Sequence, residues 1–430
     1  MRDLCSLSLL ILPTVLLAQS IEFLPNHTNA VYSCGEEAAL TIRVLDVKDE
    51  LAKKGTLKVS LTSYDKPLSS YTFDLSKGNP VTVKGTLSQP GFMKCLTDVA
   101  VDSKRLRPAY GLAFDPLKIE QGAPCPADFD AFWDQSVAKL AREVPLDPKM
   151  EKIDRYSSDK HTAYRVSFAT FYGQRVHGFL MTPAGQGKGP FPVMVQVPGA
   201  GLGTYTPTCW GADHGRIVMI MCVHTFAPAF DKAEQQRLYD IQDKRYQEQY
   251  GVPRYCQAGA IDREKFFYYP VILGINRAVD WLAARPEVDK SRFYYTGTSQ
   301  GGGFGFYLCG LNKHFTKGVS HVPALTDLLG YKKDRKSGWP RLVESHREKD
   351  RAAAEKVAPY FDAANFARRI SCPYRVSVGF IDESCPPMAV YSGYNVIPVK
   401  DKAIVHGIQM THRVFPEIYG KLDAWIWRGK

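Results

Sequence analysis

A pentapeptide with a serine between two glycines, Gly297-Thr298-Ser299-Gln300-Gly301, is the stretch of this chain that most directly suggests chemistry. A serine hydroxyl becomes an exposed nucleophile on a sharp strand-to-helix turn, and flanking glycines let the backbone make that turn. β-Branched and aromatic residues predict a strand over 291–296, and small residues after the turn favour a helix over 302–311. The pattern predicts a nucleophile elbow centred on Ser299.

A nucleophilic serine needs a histidine that takes its proton and a carboxylate that orients the histidine. In a protein with such an elbow, the carboxylate and then the histidine follow the serine, each beyond the end of a later strand. Asp382 follows the apolar run 374–380, and His412 follows the run 402–408. Their order and positions predict a catalytic triad of Ser299, Asp382 and His412.

Neighbouring residues compete for two of these roles. Glu383 is an alternative carboxylate, although Asp382 is nearer the strand end, and Asp382 could instead cap the helix that follows. His406 is an alternative base, but it lies inside a predicted strand. Two further histidines do not fit the required order, namely His224 and His321.

Stabilising the oxyanion requires two backbone N–H donors. One comes from the residue after the nucleophile, here Gln300, and the other from the loop after an earlier strand. The glycine-rich loop 198–203 directly follows the apolar run 192–197, and we predict Ala200 as its donor. The alternative is an ordinary glycine-rich turn.

The second part of the chain alternates strand and helix patterns. The runs 192–197, 217–223 and 374–380 are almost continuously apolar, which is typical of parallel strands covered by helices on both faces. Apolar residues recur at helical spacing over 268–284. We therefore predict a doubly wound, mostly parallel α/β domain over residues 109–430.

Residues 21–108 have a different pattern. Short alternating runs such as 39–44, 57–61 and 81–83 are separated by turns that contain Gly, Pro and Asp, which predicts a small all-β sandwich. The segment has no tryptophan, so it lacks the Cys-Trp-Cys core of a true immunoglobulin domain and is only immunoglobulin-like. We expect an accessory or packing role, with carbohydrate binding as the alternative.

The first twenty residues resemble a signal peptide. Arg2 precedes an apolar run over 4–17, and small residues follow it. The run is shorter than the ~20 residues that a membrane span needs, and Pro13 interrupts it, which argues against an uncleaved anchor. We predict cleavage of residues 1–20, export to the periplasm or medium, and no stable membrane span.

Export to an oxidising compartment would allow disulfide bonds between the cysteines. Loss of Cys5 would leave nine of the ten, and we expect a disulfide between Cys34 and Cys95, near the two ends of the N-terminal module. No close Cys-x-x-Cys spacing occurs, so no metal site is predicted.

Several motifs together resemble the acetyl xylan esterases of carbohydrate esterase family seven, which include cephalosporin-C deacetylases and have the α/β-hydrolase fold. They are Ser-Gln-Gly-Gly at 299–302, Gly-Phe-Ile-Asp-Glu-Ser-Cys-Pro-Pro at 379–387, and the segments 126–133 and 176–183. The resemblance covers residues 110–428. It implies hydrolysis of acetyl esters of sugars through an acetyl-serine intermediate, with no metal or organic cofactor.

The chain departs from that family at three places. Pro198-Gly199-Ala200 stands where the family has His-Gly-Tyr, Arg413 follows His412 where the family has Glu, and no Arg-Gly-Gln occurs in 224–228. These departures concern the acyl pocket and the family's oligomeric assembly. The substrate and homo-oligomer formation therefore stay open.

The formal net charge is +11, and residues 332–351 contain eight Lys or Arg against four Asp or Glu. A basic surface could favour an acidic glycan, such as a xylan or pectin that carries uronic acid, or could simply be a solvated helical face. No recognised nucleic-acid-binding motif occurs. Four aromatic residues are the best candidates to line a sugar site: Tyr205, Trp210, Tyr331 and Trp339.

Three functional hypotheses follow. The first is a secreted esterase that removes acetyl groups from xylan or another plant carbohydrate. The second keeps the serine chemistry in a general carboxylesterase, lipase or peptidase. The third is a glycan-binding protein without activity, which the intact triad argues against.

Overall fold

The computed structural model describes residues 19–64, 66–101 and 104–428. The predicted signal peptide lies outside these residues except for Gln19 and Ser20, and Ser20 already begins the first strand. No helix in the described part of the chain has both the length and the apolar character to cross a membrane.

The N-terminal region is built from β-strands in two sheets, of order β1-β3-β6 and β2-β9-β7-β4-β5, with β8 paired to β7. Inward positions alternate along β3, and rings from the two sheets meet where Phe23 lies 5.2 Å from Tyr110. The strands are β1 (Ser20–Pro25), β2 (Val31–Tyr32), β3 (Ala38–Leu45), β4 (Thr56–Ser63), β5 (Lys66–Asp74), β6 (Val81–Gly85), β7 (Gly91–Val101), β8 (Lys104–Leu106) and β9 (Ala109–Phe114). Because β9 pairs with β7, this sheet extends beyond the predicted boundary at residue 108.

The expected disulfide between Cys34 and Cys95 is wrong, since both residues are free thiols. Cys95 lies inside β7, between Leu61 of β4 and Tyr110 of β9, and burial raises its pKa to about 12. Cys34 lies in the turn after β2, where its N–H donates to Asp115. The two cysteines lie near the two ends of the N-terminal module in sequence, but the fold does not bring their side chains together.

The second region contains a nine-stranded sheet of order β10-β11-β12-β14-β13-β15-β16-β17-β18. Its pairs are antiparallel as far as β14 and parallel from β14 through β13 to β18. The strands are β10 (Lys149–Lys152), β11 (His161–Ala169), β12 (Arg175–Pro183), β13 (Phe191–Val197), β14 (Ile217–Met221), β15 (Val288–Thr298), β16 (Lys317–His321), β17 (Tyr374–Gly379) and β18 (Lys402–Gly407).

Helices cover both faces of this sheet, which confirms the predicted α/β-hydrolase fold. They are α1 (Phe129–Glu143), α2 (Trp210–Asp213), α3 (Lys232–Tyr250), α4 (Tyr268–Ala283), α5 (Gln300–Leu311), α6 (Glu348–Phe361), α7 (Ala363–Ala367), α8 (Pro387–Asn395) and α9 (Pro416–Trp427). Strand β14 is buried at every position and α5 at nearly every position, as their uninterrupted apolar sequences require.

The strand register brings the functional loops to one edge of the sheet. Val197 pairs with Gly297 at the ends of β13 and β15, and Gly379 pairs with Gly407 at the ends of β17 and β18. Parallel strands end at the same edge, so the loops after these four strands meet there. These are the loops that carry Ala200, Ser299, Asp382 and His412.

Candidate active site

Ser299 stands on a strained turn between β15 and α5. Its backbone has φ 59° and ψ −119°, which is uncommon for a residue other than glycine. Hydrogen bonds from three directions hold it: its N–H donates to His321 O (2.9 Å), and its carbonyl accepts from Gly303 (3.0 Å) and Ala324 (2.9 Å). The serine is therefore fixed in the geometry of a nucleophile elbow.

The two glycines of the pentapeptide are required by close packing. A Cβ on Gly297 would lie 2.5 Å from the carbonyl oxygen of Gly301, and a Cβ on Gly301 would overlap the carbonyl oxygen of Val197. The turn can therefore pack against the end of β13 only with glycine at these positions.

The structure brings Ser299, His412 and Asp382 into one hydrogen-bonded chain. His412 Nε2 lies 2.9 Å from Ser299 Oγ, and His412 Nδ1 lies 2.8 Å from Asp382 Oδ2. Asp382 is fully buried, whereas the His412 side chain is 36% exposed. The geometry lets the imidazole take the serine proton while a buried carboxylate holds its other nitrogen.

The alternative acid and base lie elsewhere. Asp382 uses its second oxygen to accept the N–H groups of Ser384 (2.8 Å) and Cys385 (3.0 Å), which fixes the carboxylate. Glu383 instead forms ion pairs with two lysines of other segments. His406 lies in β18, and its Nε2 is 2.6 Å from the hydroxyl of Tyr391 on α8.

Of the two predicted oxyanion donors, Gln300 directly follows Ser299 in the elbow, and Ala200 lies in the loop after β13. The N–H of Gln300 is the first of helix α5, and such N–H groups have no acceptor within their own helix. The loop after β13 reaches the serine, because a Cβ on Gly199 would lie 4.0 Å from Ser299 Cβ. Ala200, next in this loop, is exposed at the same edge.

A buried polar network behind this loop was not predicted. His224 is fully buried, and its Nε2 lies 2.7 Å from the carbonyl oxygen of Gly201. Since that carbonyl only accepts, Nε2 carries the proton and Nδ1 accepts from Gln242 Nε2 at 3.0 Å. Burial lowers the pKa of His224 to about 4, so the ring is neutral.

The same network reaches the other side of the elbow. The hydroxyls of Tyr255 and Tyr268 donate to Gln300 Oε1 at 2.8 and 2.7 Å, and the ring of Tyr255 packs edge-on against His224. A signal was present in the sequence: His224 directly follows the apolar run 217–223, at the edge of the sheet where the site forms.

The structure divides the four candidate aromatic residues among different surfaces. Trp210 is 58% exposed and lines a cavity of about 560 Å³ between the sheet and α9, behind the elbow. Tyr331 lines a second cavity, of about 820 Å³, beside the N-terminal sandwich. The carbonyl of Trp339 accepts from the N–H of Leu325, and the preceding residue, Ala324, donates to the carbonyl of Ser299. Tyr205 is half-buried in the loop after β13.

One group of potential metal ligands occurs in the described residues. It consists of Asp382, Cys385 and His412, whose ligand atoms lie within 4.8 Å of one another. The carboxylate and the imidazole are already hydrogen-bonded in the chain to Ser299, and burial raises the pKa of the Cys385 thiol well above its usual value. A protonated thiol is a poor metal ligand, so the group fits proton transfer better than metal binding.

Comparison with known proteins decides the family. The model of the acetyl xylan esterase (AXE1) family matches residues 110–419, which span the elbow, the acid loop and the histidine loop. The chain belongs to the acetyl xylan esterase family. It is accordingly a carboxylic ester hydrolase, and the resemblance expected from the motifs is confirmed.

A characterised relative extends this comparison. Acetyl esterase Axe7A of Xylanibacter ruminicola is 29% identical over 391 residues, covering 89% of this chain and 84% of its own length. Residues 110–430 alone could not supply that share, so the similarity reaches into the N-terminal strands.

Two solved structures share the fold of a large part of this chain. The acetyl xylan esterase from Paenibacillus sp. R4 has a TM-score of 0.58 at 24% identity and covers 72% of this chain and 97% of its own. Acetyl xylan esterase 1 from Thermoanaerobacterium sp. JW/SL YS485 has a TM-score of 0.57 at 22% identity, with coverages of 73% and 98%. More than a quarter of this chain therefore has no counterpart in either structure.

Proposed function

We propose that this protein removes acetyl groups from acetylated carbohydrates such as xylan, through an acetyl-enzyme formed on Ser299. The observation that carries the proposal is the hydrogen-bonded chain from Ser299 through His412 to Asp382, on a nucleophile elbow, in a member of the acetyl xylan esterase family. The catalytic residues are Ser299, His412 and Asp382, and the backbone N–H groups of Gln300 and Ala200 form the oxyanion hole.

The first half-reaction forms the acetyl-enzyme. His412 Nε2 takes the hydroxyl proton of Ser299 as Oγ attacks the ester carbonyl carbon, and Asp382 stabilises the imidazolium. The carbonyl oxygen becomes an oxyanion that accepts from Gln300 and Ala200. When the tetrahedral intermediate collapses, its bond to the sugar oxygen breaks, and His412 donates the proton to that oxygen.

The second half-reaction restores the enzyme. A water molecule gives its proton to His412 while its oxygen attacks the acetyl carbon of the ester on Ser299. In the new tetrahedral intermediate the bond to Ser299 Oγ breaks, and the proton returns from His412 to that oxygen. Acetic acid, which keeps the second proton of the water, leaves and ionises to acetate in solution.

Acetate release from a panel of acetylated polysaccharides tests the proposal. We expect release by the wild type and none above background by Ser299→Ala. Equal rates for the two proteins would contradict the serine mechanism, and activity of neither on any acetyl ester would leave the hypothesis of a glycan-binding protein.

A chain-length series of 4-nitrophenyl esters tests the acyl group. We expect kcat/KM to be highest for acetate and to fall steadily for butyrate and octanoate. A preference for longer acyl groups, or cleavage of peptide amides, would instead indicate the general carboxylesterase or peptidase.

Export belongs to the same proposal and rests on the pattern of residues 1–20. N-terminal sequencing of the protein recovered from the periplasm or medium is expected to show that this segment has been removed. An intact Met1 on the recovered protein would contradict cleavage.

A further inference from the structure

The N-terminal sandwich reaches the loop that carries the catalytic acid. Tyr64 lies at the tip of the β4–β5 hairpin, and its hydroxyl donates a hydrogen bond to the main-chain carbonyl of Asp382. The backbone of Tyr64 has φ 58°, in the left-handed region that is unfavourable for residues other than glycine. Such a conformation persists where surrounding contacts determine it.

A buried lysine of the same sheet contacts the neighbouring residue of that loop. Lys94 lies in β7 and is only 5% exposed, yet its ammonium forms an ion pair with Glu383 Oε1 and lies 4.5 Å from the centre of the Tyr64 ring. Lys336 donates to the other oxygen of Glu383 at 2.8 Å. A buried ammonium is costly without a partner, so Lys94 and Glu383 hold each other in place.

The charge state of Glu383 suits this arrangement. Partial burial by itself raises the pKa of the carboxyl, but the hydrogen bonds and charges of Lys336 and Lys94 outweigh that effect and hold the pKa below its usual value. Glu383 is therefore ionised, and its carboxylate ties the acid loop to both lysines.

The same sheet also supports the loop that carries the histidine. The N–H of Gly111 in β9 donates to the carbonyl of Ile408 at 3.1 Å, four residues before His412. A Cβ on Gly111 would overlap Phe380, and Phe92 of β7 packs edge-on against the Phe380 ring at 5.0 Å. The sandwich thus contacts the segments that lead to two of the three catalytic side chains.

We propose that the N-terminal sandwich is a structural part of the catalytic site, in which Tyr64 and Lys94 are positioning residues that fix the Asp382–Glu383 loop against His412. The inference rests on the proposed function, since it assigns to Asp382 the role of catalytic acid. It gives the sandwich a role in the chemical step rather than in carbohydrate binding.

The test compares two tyrosine variants of the full-length protein. Tyr64→Phe removes the hydroxyl on Asp382, and Tyr71→Phe removes a hydroxyl of the same sheet that donates to the carbonyl of Lys84 at 3.5 Å. With 4-nitrophenyl acetate, we expect Tyr64→Phe to lower kcat roughly tenfold or more with KM changed less than about twofold, and Tyr71→Phe to leave both unchanged. Equal kcat for Tyr64→Phe and wild type, or an equal loss in Tyr71→Phe, overturns the proposal.

A second measurement separates positioning from general stability. Lys94→Met keeps much of the buried volume and removes the charge, and we expect it also to lower kcat more than it changes KM. The double variant Tyr64→Phe/Asp382→Asn should be no slower than Asp382→Asn alone, because both changes act through one carboxylate. Additive losses would show that Tyr64 acts independently of Asp382 and would overturn the proposal.

A fluorophosphonate probe distinguishes failure of this inference from failure of the proposed function. Ser299 Oγ attacks its phosphorus, fluoride leaves, and the hydroxyl proton passes to His412, so the rate depends on the triad but not on a sugar substrate. If the wild type reacts with the probe but releases no acetate from carbohydrates, only the substrate assignment fails. The variants are then compared by their rates of reaction with the probe. If the wild type does not react, both proposals fail.

Discussion

His412 Nδ1 lies 2.8 Å from Asp382 Oδ2, while the other oxygen of Asp382 accepts two main-chain N–H groups. The two N–H groups fix the orientation of the carboxylate, and Asp382 Oδ2 serves as the hydrogen-bond acceptor for the imidazole. This arrangement selects the tautomer in which Nε2 is free to take the proton of Ser299.

Asp382→Asn is expected to lower kcat by roughly 10³–10⁴-fold with little change in KM, because an amide N–H facing Nδ1 favours the wrong tautomer. Steady-state kinetics on 4-nitrophenyl acetate measures the effect. Asp280→Asn is the matched control, since Asp280 is exposed on α4, accepts a hydrogen bond from Asn312 and does not contact the triad. If Asp382→Asn stayed within tenfold of the wild type, another group would have to orient His412.

Ala200→Pro removes the N–H that we assign to the oxyanion hole, and we expect kcat to fall roughly 10²–10³-fold. Ala200→Ser keeps the N–H and should retain most of the activity. Both variants are to be compared with the wild type by kcat and by thermal unfolding, so that a folding defect is recognised. Full activity of a stable Ala200→Pro protein would assign the donor to another residue of the loop.

Gly301→Ala is expected to destabilise the fold strongly, by roughly 3 kcal/mol or more, because the added methyl group overlaps the carbonyl oxygen of Val197. The control is Gly420→Ala on α9, where a Cβ meets nothing within 4 Å. There alanine should stabilise the helix by up to about 1 kcal/mol. Denaturant unfolding of the two variants should therefore shift in opposite directions, and equal shifts would contradict the packing argument.

Stability is expected to fall between pH 7 and pH 5. Burial lowers the pKa of four histidines from 6.5 to about 4, namely His177, His224, His321 and His406. Below pH 6.5 the unfolded chain binds these protons and the folded protein does not, so the stabilisation present above pH 6.5 is lost as the pH falls toward 4. The full difference is worth roughly 3 kcal/mol per histidine.

Three carboxyls act in the opposite direction, because burial raises the pKa of Asp243, Asp327 and Asp362. Burial, together with the charge of Asp327, raises the pKa of Asp362 to about 7, so this group stabilises the fold as the pH falls below 7. The pKa of Asp362 is the one among these carboxyls that rises as far as about 7, and the four histidines outweigh this effect. Calorimetry should therefore show a Tm roughly 5–10 °C lower at pH 5 than at pH 7.5. A Tm that is constant or rises over this range would mean that the histidines are not buried as neutral rings.

The elbow could be predicted because its determinants are local. Glycine spacing, an apolar strand and small helical residues are all contained in about twenty residues around Ser299, and the structure has β15 and α5 there. Asp382 and His412 were accessible to the same reasoning, since each follows a predicted strand, in the runs 374–380 and 402–408, and the structure has β17 and β18 there. The order of the serine, acid and histidine loops along the chain could be predicted from these runs. The individual hydrogen bonds that join their side chains could not.

The contacts that support these residues could not be predicted in this way. Tyr64 and Asp382 are 318 positions apart, and Lys94 and Glu383 are 289 apart, so no spacing or periodicity connects them. Lys94 in particular has the appearance of a surface lysine in an alternating strand. Its burial depends on how the sandwich packs on the second sheet, which is a property of the tertiary structure.

Strand β10 forms one open edge of the nine-stranded sheet. All four of its residues are exposed, and three of them are charged: Lys149, Glu151 and Lys152. An open sheet edge is a template for pairing with another chain, and charged side chains along it oppose such pairing. Continuous intermolecular sheet growth, the first step toward fibrillar aggregates, is thereby hindered at this edge.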